Sequence, residues 1–242
     1  MTRSGSRRPL PAYRVRRRTA GFTAVGTATA FMALGATGSG AQRPAGPHPG
    51  TREALLTPAT RAASASLLYP RVNWRHSRAI GQPTAGAIVR ATKLPAEGRH
   101  FVTWDYDRHR TPSPLERRYG TGHLVRLVLT VAAEYGRAHP TVPRLVIGDL
   151  SRPHGGGFRS AHASHQNGLD VDIYYPRRDR RERAPMTVGD IDRGLAQDLV
   201  DRFVRAGAQY VFIGPNTGLR GPRGVVMVWP RHDNHIHIRL PR

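Results

Sequence analysis

Hydrophobic side chains recur at helical spacing in two stretches of the chain. The first stretch carries Leu124, Val125, Leu127, Val128, Val131, Ala132 and Tyr135, and Gly136 and Pro140 follow it. The second carries Ile191, Leu195, Leu199, Phe203 and Val204, after a Thr187 and Asp190 pair that is typical of a capping box. These patterns predict two amphipathic helices, the first ended by Gly136 and Pro140 and the second starting at Thr187.

Short apolar runs with strand character lie before, between and after these helices. They cover residues 144–150, 171–175, 210–213, 225–229 and 235–240. The strands and helices do not alternate strictly, as a parallel β/α fold would require. We therefore predict an α+β domain with a central, mainly antiparallel sheet and flanking helices.

The N-terminal region has a different pattern. Seven arginines precede an uncharged stretch from Thr19 to Ala41, which predicts an export signal over residues 1–41, with cleavage before Gln42. Arg17 and Arg18 form a loose twin-arginine pattern. A retained membrane anchor is the alternative, although the many Gly, Thr and Ser residues disfavour insertion. Residues 42–69, rich in Pro, Gly, Ala and Thr, predict a linker, and residues 70–242 the folded domain.

Composition narrows the partners and the chemistry. The formal charge is +22, carried almost entirely by arginine; removal of the seven arginines in residues 1–41 would leave 22 − 7 = +15. Such a surface favours polyanions, which include nucleic acid, anionic lipid and cell wall, but codon bias explains the arginines equally well. The chain has no cysteine, so any transition metal must be held by His, Asp or Glu.

Two clusters of histidine and aspartate suit such a metal. One contains His162, His165, Asp170 and Asp172, and the other contains His232, His235 and His237. Residues two apart in a strand share a face, so each cluster directs paired polar groups to one side and apolar neighbours to the other. Three nitrogen or oxygen ligands with one position left for water are usual in catalytic zinc sites. The pattern predicts a metal site.

Two sequence motifs carry a resemblance to a known family. Residues 148–173, GDLSRPHGGGFRSAHASHQNGLDVDI, and residues 232–240, HDNHIHIRL, resemble the penicillin-insensitive murein endopeptidases. This family belongs to the zinc peptidases related to lysostaphin, the D-Ala-D-Ala metallopeptidases and the hedgehog domain. Weaker similarity extends back to Ala79-Ile80-Gly81 and Leu94-Pro95, so the resemblance covers roughly residues 79–242. It implies a fold like those of the hedgehog domain and the D-Ala-D-Ala peptidases.

The resemblance also implies a ligand set and an activity. His165, Asp172 and His237 occupy the zinc-ligand positions, which leaves Asp170 as a hydrogen-bond partner. The expected reaction is hydrolysis of D-alanyl–diamino-acid cross-links in peptidoglycan, with meso-diaminopimelate as the diamino acid. The enzyme is expected to be exported, because its substrate lies outside the cytoplasm. D-Ala-D-Ala-cleaving relatives carry an acid where this chain has His232, which favours the endopeptidase branch, although Asp233 keeps an acid nearby.

Roles follow for the remaining polar residues. We expect His232 to act as the general base and His235 to bond the attacking water or the oxyanion. His162 orients the site or contacts substrate, and Arg152 binds a substrate carboxylate. For His235 and His162 the alternative is a structural role in fixing a metal ligand.

Three other functions remain open on the sequence. A D,D-carboxypeptidase or dipeptidase would use the same zinc site, and a noncatalytic zinc domain could bind wall polymers. Nucleic-acid binding has only the basic charge in its favour, because no DNA- or RNA-binding motif is present. We expect peptidoglycan as the partner, no nucleic acid, membrane contact only through the N-terminal segment, and a location in the periplasm, cell wall or medium.

Overall fold

A computed structural model describes residues 71–158 and 162–242 of the chain. The predicted export signal, the predicted linker and the domain boundary at residue 70 all lie outside the described residues. They therefore stay predictions.

The described residues form eleven strands and two α-helices. The strands are β1 Arg78–Gln82, β2 Ala85–Val89, β3 Thr92–Lys93, β4 Glu97–Gly98, β5 Phe101–Thr103, β6 Tyr119–Gly120, β7 Leu145–Ile147, β8 Asp170–Tyr174, β9 Tyr210–Ile213, β10 Val226–Val228 and β11 His235–Arg239. The helices are α1 Gly122–Ala138 and α2 Arg193–Arg205. Neither of these two helices, in the part of the chain that is described, has both the length and the apolar character needed to cross a membrane.

Seven strands form the central sheet, in the order β10-β9-β11-β8-β7-β5-β4. Four neighbouring pairs are antiparallel: β9 with β11, β11 with β8, β8 with β7, and β5 with β4. Two pairs, β9 with β10 and β5 with β7, are parallel. The predicted α+β class with a mainly antiparallel sheet is confirmed, whereas the likeness to hedgehog and D-Ala-D-Ala peptidase folds stays a prediction.

The two faces of the sheet have different chemistry, and β8 and β11 show why. Val171 and Ile173 on β8, and Ile236 and Ile238 on β11, are fully buried in the core that the sheet forms with α1 and α2. Successive strand residues point to opposite faces, so the alternate residues of both strands lie on the face away from the helices. Those residues are Asp170, Asp172, Tyr174, His235, His237 and Arg239.

Both predicted helices form, but with different ends. Helix α1 continues through Gly136 to Ala138 and is capped by the Thr121 hydroxyl, which accepts from the Leu124 N–H at 3.2 Å. The predicted start of α2 at Thr187 is wrong. The Asp190 carboxylate does accept from the Thr187 N–H, but the residues between them form a short 3-10 turn that ends at an extended Ile191. The α-helix begins at Arg193, after its own cap, Asp192.

Candidate metal centre

The pairing of β8 with β11 brings the two polar clusters together. His237 lies directly opposite Asp172 in the register of these strands. Oδ1 of Asp172 lies 3.3 Å from Nδ1 of His237, 3.4 Å from Nε2 of His165 and 3.6 Å from Nε2 of His235. Three imidazoles thus converge on one carboxylate oxygen.

Two of these converging atoms show that the residues fit a cation. Nε2 of His165 and Oδ1 of Asp172 are buried, and neither has a hydrogen-bond partner within the described residues. A buried polar atom without a partner is costly, so such atoms in a folded protein call for an explanation. A cation between them would satisfy both. Nitrogen and oxygen donors of this kind suit zinc.

The backbone and ring of His165 are both held in place. Its Nδ1–H donates to the Leu150 carbonyl at 2.6 Å, so Nε2 carries the lone pair that faces Asp172. Its φ of 70° lies in the left-handed region, where a non-glycine residue is strained. The Asp170 carboxylate accepts from the His165 N–H at 3.0 Å and fixes this conformation. Strain of this kind is concentrated at functional sites.

Asp170 contacts both His165 and His237. It is fully buried, its Oδ1 lies 3.2 Å from Nε2 of His237, and the same oxygen accepts from Nε of Arg239 at 2.6 Å. Burial raises its pKa, but the hydrogen bonds and charges of His237, His165 and Arg239 outweigh burial and hold that pKa below its usual range. This arrangement agrees with a hydrogen-bonding role for Asp170.

The two buried carboxylates also determine the charge of His237. Burial alone lowers the pKa of His237, but the contacts with Asp170 and Asp172 raise it to about 9. Likewise, burial raises the pKa of Asp172, whereas the neighbouring His165 and His235 rings hold it well below its usual range. The two carboxylates therefore favour a positive charge next to Asp172.

His162 approaches the same carboxylate from the other side. Its Nδ1 lies 3.6 Å from Oδ2 of Asp172, and its ligand atom falls within 4.8 Å of those of His165 and Asp172. Its Nε2 lies 2.9 Å from Oδ2 of Asp149, which also accepts from Arg117 at 3.1 Å. His162 and His237 are thus both placed to be the third ligand.

His232 and His235 complete the group of rings. Nδ1–H of His232 donates to the Pro230 carbonyl at 2.8 Å, and Nδ1–H of His235 donates to Oδ1 of Asn234 at 2.6 Å. Burial lowers the pKa of both rings, that of His235 to about 4. The lowered pKa favours the neutral form of both rings, and the Nδ1–H bonds leave the lone pair on Nε2. The two ring centroids lie 4.8 Å apart.

Two other residues named from the sequence, Arg152 and Asp233, form hydrogen bonds with loop residues. Arg152 is exposed and donates to the Gly157 carbonyl at 3.1 Å, so its role in binding a substrate carboxylate stays a prediction. The Asp233 carboxylate accepts from the backbone and side-chain nitrogens of Asn216 at 3.0 and 2.7 Å. Asp233 therefore holds the loop at Asn216, and His232 is the member of this pair that enters the cluster.

Sequence reasoning missed the residues that hold the rings. Asp149, Asn234 and Phe212 were not anticipated, although Phe212 packs edge-on against His237 with a centroid distance of 5.2 Å. One clue was available for Asp149, because it directly follows the first residue of the long motif. For Phe212 the clue lies in the pairing of β9 with β11, which sets it opposite His237.

An α+β domain with a buried cluster of imidazoles and carboxylates defines a candidate metal-site protein. A protein-family model described as penicillin-insensitive murein endopeptidase matches residues 79–211, which is more than half of the chain. Three proteins of that name are each 32% identical to this chain over 194 residues. They come from Escherichia coli strain SE11, Escherichia coli strain K12 / DH10B and Shigella boydii serotype 18. The chain belongs to the penicillin-insensitive murein endopeptidase family.

The extent of the match has two consequences. The similarity covers 68% of this chain and 66% of each of these relatives, so the chain matches just under two thirds of their length. The family model includes His162, His165 and Asp172 but ends before His232, His235 and His237. The second histidine cluster is tied to the first by the pairing of β11 with β8.

Proposed function

We propose that the chain is a zinc-dependent murein DD-endopeptidase that hydrolyses D-alanyl–diamino-acid cross-links in peptidoglycan. The observation that carries the proposal is the buried Oδ1 of Asp172, on which His165, His237 and His235 converge. The family match and the names of the relatives support a peptidase acting on murein. The diamino acid we expect is meso-diaminopimelate.

We assign the zinc ligands as His165, Asp172 and His237. His237 is preferred to His162 because its Nδ1 faces the same Asp172 oxygen as Nε2 of His165, whereas His162 faces the other oxygen. His237 also projects from a central strand, and its Nε2 faces Asp170, as metal-binding histidines usually face a carboxylate or carbonyl. His162, held by Asp149, is then a residue that orients the site or contacts substrate.

Zinc content measured after gel filtration tests this ligand set. We expect His165→Ala and His237→Ala to lose the bound zinc and His162→Ala to keep it. Loss of zinc from His162→Ala together with retention by His237→Ala would give the third position to His162 instead.

The chemistry divides between the ion and the surrounding histidines. Bound zinc would lower the pKa of water to about 7 and polarise the scissile carbonyl. Nε2 of His232 would take the proton of the attacking water and pass it to the leaving amine, since the Nδ1–H bond to Pro230 leaves Nε2 free to accept. Nε2 of His235 would accept a second hydrogen bond from the water, because its Nδ1–H is committed to Asn234.

Paired variants separate chemistry from metal binding. His232→Ala should keep its zinc and lose turnover by about 10²- to 10⁴-fold, because it removes the proton-transfer group. His165→Ala should lose both zinc and turnover. Equal zinc loss in the two variants would contradict the assignment of His232 as base.

The bond that is cleaved can be identified from the products. Mass spectrometry of muropeptides should show cross-linked dimers becoming monomers. Loss of a single terminal alanine would identify a D,D-carboxypeptidase, and bound zinc without any product would identify a noncatalytic wall-binding domain.

The substrate lies outside the cytoplasm, so we also propose that residues 1–41 direct export. N-terminal sequencing of the protein recovered from the periplasm or medium should begin at Gln42. A cytoplasmic protein that retains residues 1–41 would contradict export.

A further inference from the structure

Two exposed aromatic side chains flank the histidine cluster. Trp229 is 52% exposed, and its ring lies 6.0 Å from that of Phe212, which in turn contacts the rings of His237 and His232 at 5.2 and 6.1 Å. Tyr106 is 38% exposed and stacks on Tyr174 at 5.9 Å, with an interplanar angle of 17°. Both residues expose a large aromatic ring to solvent beside the candidate metal centre.

The sheet places these rings on one face and on opposite sides of the cluster. Phe212 pairs with His237, and Tyr174 lies two residues after Asp172, so both inner rings share the face of the metal centre. Trp229 follows β10, at the outer edge beyond β9, whereas Tyr106 follows β5, beyond β7. The histidines of β11 and the aspartates of β8 lie between them.

Hydrogen bonds fix the backbone at or next to both residues. The Trp229 N–H donates to the Ile213 carbonyl at 2.8 Å, which joins the residue to the end of β9. Tyr106 lies in a tight turn around Asp105, whose buried carboxylate accepts from the N–H groups of Asp107 and Arg108 at 3.1 and 3.3 Å. Aromatic residues fixed in this way present flat apolar surface to a ligand at little entropic cost.

We propose that Trp229 and Tyr106 are the two walls of the substrate cleft, each packing against one of the two peptide stems that a cross-link joins. This inference rests on the proposed function. A cross-link has a stem on each side of the scissile bond, and a cleft with an aromatic surface on both sides fits it. The ring faces suit the methyl and methylene groups of alanine and diamino-acid residues.

Steady-state kinetics on a cross-linked muropeptide dimer test the walls. Trp229→Ala and Tyr106→Ala should each raise KM about tenfold and leave kcat within about twofold, because each removes one ring contact in binding. Trp229→Phe should restore most of the affinity. The matched control is Trp74→Ala, since Trp74 is 42% exposed but packs on Arg126 of α1, on the helix side.

A trimmed substrate provides the sharper result. When one stem of the dimer is cut back to its diamino acid, one of the two alanine variants should no longer raise KM, while the other still should. Unchanged KM in both variants, or an equal rise in Trp74→Ala, would overturn the inference even though the wild type cleaves the dimer. A wild type that cleaves no dimer would instead refute the proposed function, and calorimetric binding of the dimer would then compare the same variants.

Discussion

At the scale of single residues, Asp170 contacts two of the three proposed zinc ligands. It holds the strained backbone of His165, faces His237 and pairs with Arg239. Asp170→Asn should weaken zinc binding about 10- to 100-fold, since partners of metal ligands contribute on that scale. It should also lower the free energy of unfolding by about 3 kcal/mol, because it leaves the charge of Arg239 without its buried partner.

Metal titration and urea denaturation of the same sample measure both effects. The matched control is Asp201→Asn on α2, where a half-buried carboxylate accepts from Gln197 at 2.9 Å. Wild-type zinc affinity in Asp170→Asn would show that the carboxylate has no part in the site.

Residue spacing predicted the cluster well but not its supports. Spacing along the chain predicted the two histidine and aspartate clusters, and the family resemblance implied His165, Asp172 and His237 as the ligands. The structure brings these three residues together. Asp149 and Asn234 act through single hydrogen bonds to ring nitrogens, and such bonds depend on side-chain direction in loops. The direction of a loop side chain cannot be predicted from the periodicity of the sequence.

At the scale of elements, the strands that carry the site were the easiest to predict. The predicted residues 210–213 coincide with β9, and those at 171–175 and 235–240 differ from β8 and β11 by one residue. Strands of two or three residues, such as β4 and β5, are too short to show an alternation. The start of α2 was misplaced because both Thr187 and Asp192 have capping side chains.

The turn before β8 requires glycine at position 168, which can be tested by substitution. Gly168 has a φ of +74°, and a Cβ added there would lie 2.4 Å from Cδ1 of Ile88. Gly207 has a φ of +85° with no atom within 4 Å among the described residues. Gly168→Ala should lower the free energy of unfolding by more than Gly207→Ala, which should lose about 1 kcal/mol from backbone strain alone.

Chemical denaturation of both glycine variants makes the comparison. Equal losses would mean that Ile88 moves aside without cost, and that the close approach of β2 to this turn contributes no stability.

The two candidate starts of α2 can be separated in the same way. Asp192→Ala should cost about 1 kcal/mol of stability, because it removes the side chain that accepts from the Leu195 N–H at 3.2 Å. Thr187→Ala should cost less, since the Thr187 side chain caps no α-helix. A larger loss from Thr187→Ala in thermal unfolding would contradict the observed start at Arg193.

At the scale of the whole molecule, one arginine joins three distant segments. Arg144, just before β7, bonds both oxygens of Glu182 at 2.9 and 2.7 Å and reaches Glu97 of β4 at 2.8 Å. The hydrogen bond from Arg144 lowers the pKa of Glu182. A carboxyl with a lowered pKa stabilises the fold above the unfolded value of about 4.3 and loses this effect as pH falls through the folded value.

Glu182→Gln should therefore lower the free energy of unfolding by up to about 1 kcal/mol at pH 7. The difference from wild type should shrink as pH falls below the unfolded value of about 4.3. It should vanish only below the lower pKa of the folded state, where Glu182 is protonated in both states. Glu116→Gln, at an exposed position, is the control. A difference that persists at low pH would mean that charge is not its cause.

We propose that zinc bound between His165, Asp172 and His237 drives hydrolysis of murein cross-links. The most direct test is to titrate zinc into chelated protein and to count dimers converted to monomers by mass spectrometry. We predict no conversion without metal, a linear rise to one zinc per chain, and a plateau beyond it. Full conversion by the metal-free protein, or no conversion at one bound zinc per chain, would refute zinc-dependent hydrolysis.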